Sequence, residues 1–495
     1  MKSPDLTTYL NQSKHWVLIL GLALAPLFTF GQSTVSTNSN DGVVKMSVRG
    51  NKDRSVIHVR KNGQRFEVEY DGYITLSEDD REVVAVSAGG YLKISKNAFG
   101  SKRRILIEAD RSGNLIRKYY EGWSQKDYEP DGRAWLTEVL PEIVRSTTLG
   151  AEDRVDRIYR QGGMRAFASE VELLEGDYVK THYIKLVLCK ELGESDVSQL
   201  IDLMGNQVKS DYYLASLLKD NYQTLMKTPE QVSSFVNAAR SISSDHYLTE
   251  VLQTVASSNQ VSENQIHSLL QAAKSIQSDH YLSSLLIGLM NERDLSSTTL
   301  EKLLSVSENI QSDHYLSEVL REAIDQDNLS GSAFNQLVSA LDEVNSDHYA
   351  KEVILALDTE NISDATLVNM LDLLRTNVQS DHYLSESLKH LMREQDLQGQ
   401  SYTAFIRAAA SIESDSYSAG VFEDLGKEKN LSDDQLSELL QATSGIQSDH
   451  YLTEVLTSLA SQVRGKGDGV QAAYRNAAKE ISSETYYGRA MRAIN

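Results

Sequence analysis

Cysteine is almost missing from this chain: its 495 residues include one, Cys189. No disulfide can form within the chain, so packing and not cross-linking must hold it together. Cys189 follows Leu186, Val187 and Leu188 on an apolar helical stretch, which reads as a small buried residue and not as a nucleophile. Catalytic signatures are missing too. The sequence has no His-Glu-x-x-His, no Gly-x-x-x-x-Gly-Lys and no Gly-x-Ser-x-Gly, so the usual zinc, phosphate and serine-nucleophile motifs are excluded. Two carboxylate pairs, Asp79-Asp80 and Asp433-Asp434, read as a turn and a helix start. An enzyme is therefore not expected, nor a cofactor.

Positive charge is in deficit. The formal net charge is −21, from 49 Lys and Arg against 70 Asp and Glu. The deficit lies beyond residue 150, where 28 basic residues face 52 acidic ones, whereas residues 32–150 carry 19 and 17. An acidic array repels phosphate backbones, which excludes nucleic acid as a partner. A basic or polar protein or peptide fits better, although the same charge also keeps an exposed array soluble. Long apolar runs are scarce as well. Trp16 to Phe30 is 15 residues, broken by Pro26. At ~1.5 Å per residue it spans about 22 Å, short of the ~30 Å bilayer core. Residues 1–31, with Lys2, Lys14 and a closing Gly31, read as an export signal, giving a periplasmic or secreted protein. The alternative is an uncleaved anchor over residues 16–30, which would be the sole membrane contact. The polar tract 32–40 reads as a flexible linker.

What the sequence has in abundance is one pentapeptide, Ser-Asp-His-Tyr-Leu. Its aspartates are Asp177, Asp211, Asp245, Asp279, Asp313, Asp347, Asp381, Asp415 and Asp449, each 34 residues after the last, and Ser483-Glu484-Thr485-Tyr486 follows one residue late. A fixed period of this length signals a repeat array. In the copy at Ser312, Tyr315, Leu316, Val319, Leu320 and Ala323 fall on one helical face. Ser312 is placed to cap that helix with its hydroxyl, and Asp313 to oppose the helix dipole. The helix is expected to run to about Asp325, and a second to start near Ser330 with Phe334, Leu337, Val338 and Leu341 buried. Thr228-Pro229-Glu230-Gln231, Ser262-Glu263-Asn264-Gln265 and Ser432-Asp433-Asp434-Gln435 are capping-box starts for such second helices. Each unit is thus a helical hairpin too thin to bury its own stripe, and stacking makes the core continuous.

Before the array the period changes to two. Val44, Met46 and Val48 alternate with polar residues, as do Ile57 and Val59, then Phe66, Val68 and Tyr70. Val83–Val86, Tyr91–Ile94 and Ile105–Ile107 read as further strands, with Asn62-Gly63, Asp71-Gly72, Gly89-Gly90 and Ser112-Gly113-Asn114 as turns. The reading is an antiparallel meander of about seven strands over residues 41–130, covered by a helix from near Gly132 bearing Trp135, Leu136, Val139, Leu140 and Val144. Residues 131–174 supply that cover and an atypical first hairpin, split at Gly162-Gly163. Residues 175–495 form the α-helical solenoid. The fold class is α+β: a small antiparallel β domain, then a long α–α solenoid.

The recurring polar residues are the candidate site. His follows the motif Asp at His246, His280, His314, His348, His382 and His450, and Tyr follows at Tyr247, Tyr281, Tyr315, Tyr349, Tyr383 and Tyr451. Glu250, Glu318, Glu352, Glu386 and Glu454 lie four residues beyond their histidines, one helical turn away. The functional reading is a ladder of metal sites or a pH sensor. The structural reading is a surface pair or a bond to the next repeat. Ligands on hairpins stacked about 8–10 Å apart do not converge as a catalytic metal requires, so no metal site is assigned. The tyrosines are expected to insert between hairpins, with the hydroxyl bonded to a neighbour's Asp or backbone.

The period and helical hairpins resemble tetratricopeptide repeats, but the Trp, Gly, Ala and Pro positions of that family have no counterpart here. Val83 to Ile94, Gly132-Arg133-Ala134-Trp135-Leu136, Gly150-Ala151-Glu152-Asp153-Arg154-Val155 and the Ser-Asp-x-Tyr copies resemble the extracytoplasmic tail of bacterial membrane metallopeptidases of the beta-lactam-sensor antirepressor type. That resemblance covers about residues 70–495. It implies a docking or sensory part without the peptidase, since the zinc motif and membrane helices are missing. The expected function is a non-enzymatic exported scaffold for protein or peptide partners. The alternative is a sensory module of an envelope-stress or antibiotic-response system that binds a cell-wall fragment or a metal ion.

Overall fold

The structure, a computed structural model, describes residues 33–39, 42–50, 54–61, 64–98, 100–258, 261–357 and 362–495. The expected export signal, residues 1–31, lies outside them, as does the Asn62-Gly63 turn. No helix among the described residues is long and apolar enough to cross a membrane. The chain divides into two compact units, residues 1–153 and 154–495.

The first unit is built on an antiparallel sheet. Its strands are β1 (Ser33–Ser39), β2 (Gly42–Gly50), β3 (Arg54–Lys61), β4 (Gln64–Asp71), β7 (Tyr91–Ala98), β8 (Ser101–Ala109), β9 (Leu115–Glu121) and β10 (Ser124–Lys126), hydrogen-bonded in that order. A separate hairpin, β5 (Ile74–Leu76) with β6 (Val83–Val86), leaves the meander between β4 and β7. The tract expected as a flexible linker holds β1, which pairs with β2 from Ser33↔Val48 to Ser39↔Gly42. Its β-branched Thr and Val residues suit a strand, and β1 lies at the end of the strand order.

Register aligns the apolar positions. Ile57, Val68, Ile94, Ile105 and Tyr119 face one another across five strands, and all are buried. Helix α1 (Arg133–Ser146) covers that face. Its Trp135, Leu136, Val139, Leu140, Ile143 and Val144 are buried. The Trp135 ring lies 6.0 Å from that of Tyr119, and Lys96 reaches Glu142 at 3.2 Å.

The second unit is the repeat array. Helix α2 (Ala151–Leu173) breaks at Gly163, whose φ of +61° is a conformation other residues resist. From there one helix begins at every motif aspartate, Asp177 to Asp449, and a last one at Glu484; a second helix lies between each pair. The copy at Ser312 runs Asp313–Ile324, then Ser332–Asp342. Leu316, Val319, Leu320 and Ala323 are buried, as are Phe334, Leu337, Val338 and Leu341. Tyr315 departs from the stripe and sits half-exposed at its edge. Motif helices stack on motif helices and second helices on second helices, so each apolar residue gains a neighbour in the adjoining repeat, worth about 1.5–3 kcal/mol per large side chain.

The capping boxes form at Thr228, Ser262 and Ser432. Their glutamines do more than cap. Gln265 Nε2 donates to the Met226 carbonyl of the preceding repeat at 3.0 Å, and Gln435 Nε2 to Leu397 at 3.3 Å. Ser262→Ala is therefore expected to cost about 1 kcal/mol. Gln265→Ala should cost roughly 2 kcal/mol, because it also strands the Met226 carbonyl. Thermal unfolding of the two variants side by side checks that order.

Candidate functional site

The motif aspartates are clasps between repeats. From Asp177 to Asp449 each carboxylate accepts a hydrogen bond from a backbone N–H of the next repeat, at 2.7–3.2 Å. Asp245 holds Gln277 and Ser278; Asp279 holds Gln311 and Ser312; Asp313 holds Asn345. Asp347 holds Gln379 and Ser380; Asp381 holds Glu413 and Ser414; Asp449 holds Ser482 and Ser483. Each carboxylate thus sits in the first turn of its own helix, as the dipole favours, and fixes the start of the following one.

This clasp corrects the expected serine cap. The motif serines occupy the N-cap position, but in the copies from Ser210 to Ser483 only the Ser380 hydroxyl accepts a bond from its own first turn, at 3.5 Å from Tyr383 N. Held by the preceding aspartate, Ser278 and Ser312 have ψ of 118° and 117°. Ser262 and Ser432, whose hydroxyls do cap, have ψ of 161° and 166°. Ser380, clasped by Asp347 and with a ψ of 114°, is the copy that caps as well.

Beside the clasp runs an aromatic ribbon. Each motif histidine ring lies 5.0–5.3 Å from the tyrosine of its own repeat and 5.6–5.9 Å from that of the next. Tyr281 therefore rests between His246 and His280, Tyr315 between His280 and His314, and Tyr349 between His314 and His348. His382 bridges Tyr383 to Tyr417, and His450 bridges Tyr451 to Tyr486. Tyrosine replaces histidine at the front of the ribbon: Tyr212 lies 5.2 Å from Tyr213 and 6.0 Å from Tyr247. The sequence signal for this extension was Tyr178 and Tyr212 directly after their aspartates. Tilted aromatic pairs of this kind contribute about 0.5–1.5 kcal/mol each. The tyrosine rings touch histidines of two successive repeats, whereas the expected hydroxyl bonds to a neighbour's Asp or backbone are not among the hydrogen bonds of the described residues. The histidines remain exposed, His450 half-exposed.

The glutamate row lines the same face. His314, His382 and His450 approach Glu318, Glu386 and Glu454 at 3.8, 3.8 and 3.9 Å. Glu250 meets Lys219 of the preceding repeat at 3.4 Å, and Glu352 meets Lys351 at 2.9 Å. That ammonium holds the Glu352 carboxyl below its ordinary value. Among the described residues no three His, Cys, Asp or Glu side chains gather as a metal site would need. At the rung formed by His348 and Tyr383 the surface opens into a groove of about 430 Å³ that Asn345, Asn377 and Gln379 also line.

Two further residues differ from expectation. Cys189 is exposed, at the end of its helix, with Sγ 3.4 Å from the Lys185 carbonyl; Val187 takes the buried position instead. Arg154, quoted above only as part of a stretch that resembles the metallopeptidase tail and given no role there, is fully buried. It donates to Glu170 at 2.8 Å and to the Tyr183 hydroxyl.

No protein-family model matches the chain, and no curated protein matches it. Among solved structures, a chain of the exomer cargo adaptor complex aligns over 88% of this chain and 82% of its own, at 12% identity and a TM-score of 0.17. A computationally designed self-assembling cyclic homo-oligomer aligns over 61% of this chain and 93% of its own, at 13% identity and a TM-score of 0.11. Scores this low transfer no function to this chain.

Proposed function

We propose that this protein is a non-enzymatic scaffold that binds protein or peptide partners along its helical-repeat surface. The observation that carries the reading is the ribbon. Half-buried tyrosines and exposed histidines recur at one rung per repeat beside a row of glutamates, on a face that stacking leaves uncovered. Repeat arrays use such extended surfaces for binding, and aromatic residues ringed by polar ones anchor protein interfaces. The short apolar run at residues 16–30 and the likeness to metallopeptidase tails support an exported, envelope-located role. The test is affinity capture from envelope extract with the intact chain as bait, beside a bait carrying Tyr281→Ser, Tyr315→Ser and Tyr349→Ser. Partners retained by the first and lost by the second are expected. Identical recoveries from the two baits, or background alone, would overturn the reading.

A further inference from the structure

One repeat carries a cation where its neighbours carry a short hydroxyl. Four residues beyond the motif aspartate stand Thr249, Ser283, Ser317, Ser385 and Thr453, all buried; in the repeat of Asp347 the residue is Lys351. Its ammonium lies 5.3 Å from the centre of the Tyr383 ring of the next repeat. It also lies 2.9 Å from Glu352 and 3.9 Å from Glu386. The seat therefore has three walls: a ribbon tyrosine and a glutamate from each of two successive repeats. A cation over an aromatic face between carboxylates gains both attractions at once.

The repeat pattern sets out the same walls elsewhere. Glu318, Tyr349 and Glu352 hold the three equivalent positions one repeat earlier, above Ser317, with Arg321 acting on Glu352 from one side. Tyr247 with Glu250, Tyr281 with Glu250, and Tyr315 with Glu318 supply two of the three. At the two rungs that share Glu250, Lys219 already meets that carboxylate at 3.4 Å, and the unit beyond residue 150 has the acidic excess noted above.

Resting on the scaffold reading, we propose that the ribbon's partner is an extended peptide bearing Lys or Arg, whose cations seat over successive tyrosines between the glutamates. Lys351 is the chain's own occupant of one seat, and it blocks that rung. The proposal commits to a cationic polypeptide because the walls are acidic and aromatic and the occupant of the three-walled seat is an alkylammonium.

The test uses the full chain and a fluorescein-labelled peptide of alternating Lys and Gly, 16 residues long, followed by anisotropy at physiological salt. Lys351→Ser installs the residue that the two adjoining repeats carry, Ser317 and Ser385, and it should tighten binding about threefold or more by freeing a seat. Lys302→Ser, on a second helix away from the ribbon, removes the same charge and should change affinity little. Glu352→Gln with Glu386→Gln, placed in the Lys351→Ser background, should reverse the gain. Tyr383→Leu in that background should reverse it too, with no change in charge. Equal tightening by Lys351→Ser and Lys302→Ser, or indifference to Tyr383→Leu in a chain that stays helical by circular dichroism, would reduce the effect to bulk charge and overturn the proposal. The capture experiment above does not depend on that outcome, since a neutral partner lost on tyrosine replacement would keep the scaffold reading while this one fell.

Discussion

Replacing Arg154 by methionine is expected to cost about 3–5 kcal/mol, the usual loss when one member of a buried ion pair is removed. Arg154 is buried and Glu170, its partner, nearly so, with side-chain exposures of 2% and 12%. The substitution takes the guanidinium from the nearly buried Glu170 carboxylate and a donor from the Tyr183 hydroxyl. The double variant Arg154→Met, Glu170→Leu should recover much of the loss, because apolar replacements of both charges remove the desolvation cost along with the attraction. Denaturant unfolding followed at helical wavelengths measures both. A single variant within 1 kcal/mol of the parent would mean that the pair is not what secures the first hairpin.

The second large effect is expected at a clasp. Asp279→Ala removes the acceptor of two N–H groups, Gln311 at 3.1 Å and Ser312 at 2.8 Å. Bonds to a charged acceptor contribute about 1.5–3 kcal/mol each when sheltered, and this one is half-exposed, so the total should be about 2–4 kcal/mol. The loss falls on the junction between two repeats and not on either repeat's own helices. In an array whose stability is a sum of repeat and neighbour terms, weakening one junction divides the cooperative unit. Hydrogen exchange should quicken first at Gln311 and Ser312, and the unfolding transition should broaden or split. Asp279→Asn keeps one oxygen acceptor and should lose roughly half as much. An unbroadened transition with protected amides at both positions would show that the clasp carries no coupling.

Much of this fold could be read from the residues. The helical hairpins were legible because apolar spacing and capping chemistry are local: Thr228, Pro229 and Gln231 act within one turn. The sheet was legible for the same reason, since Val68 and Ile94 each alternate with polar neighbours and register then aligns them with each other and with Ile105. What stayed hidden depends on residues far apart in the chain. The 34-residue period fixed which positions recur, yet nothing local shows that Asp279 reaches the backbone at Ser312 and not its own helix end. The serine cap was overestimated because the start of each motif helix is held instead by a carboxylate of the preceding repeat. Arg154 has no periodic partner, so its burial could not be anticipated from pattern. Cys189 was misplaced because an apolar run at a helix end does not say which residue the final turn exposes. Strand β1 was missed because a polar edge strand and a linker share a composition.

The ribbon is not continuous. Serine stands at position 416 where the other late copies have histidine, and the ring contacts pass from Tyr178 to Tyr417, then resume at His450. A ligand that repeats its own contacts along this face would meet one long run of rungs and one short one. Its avidity should climb with length only until the long run is filled, and then level off until the ligand is long enough to step across the gap. The position of a single missing ring would in that way set a preferred size of partner.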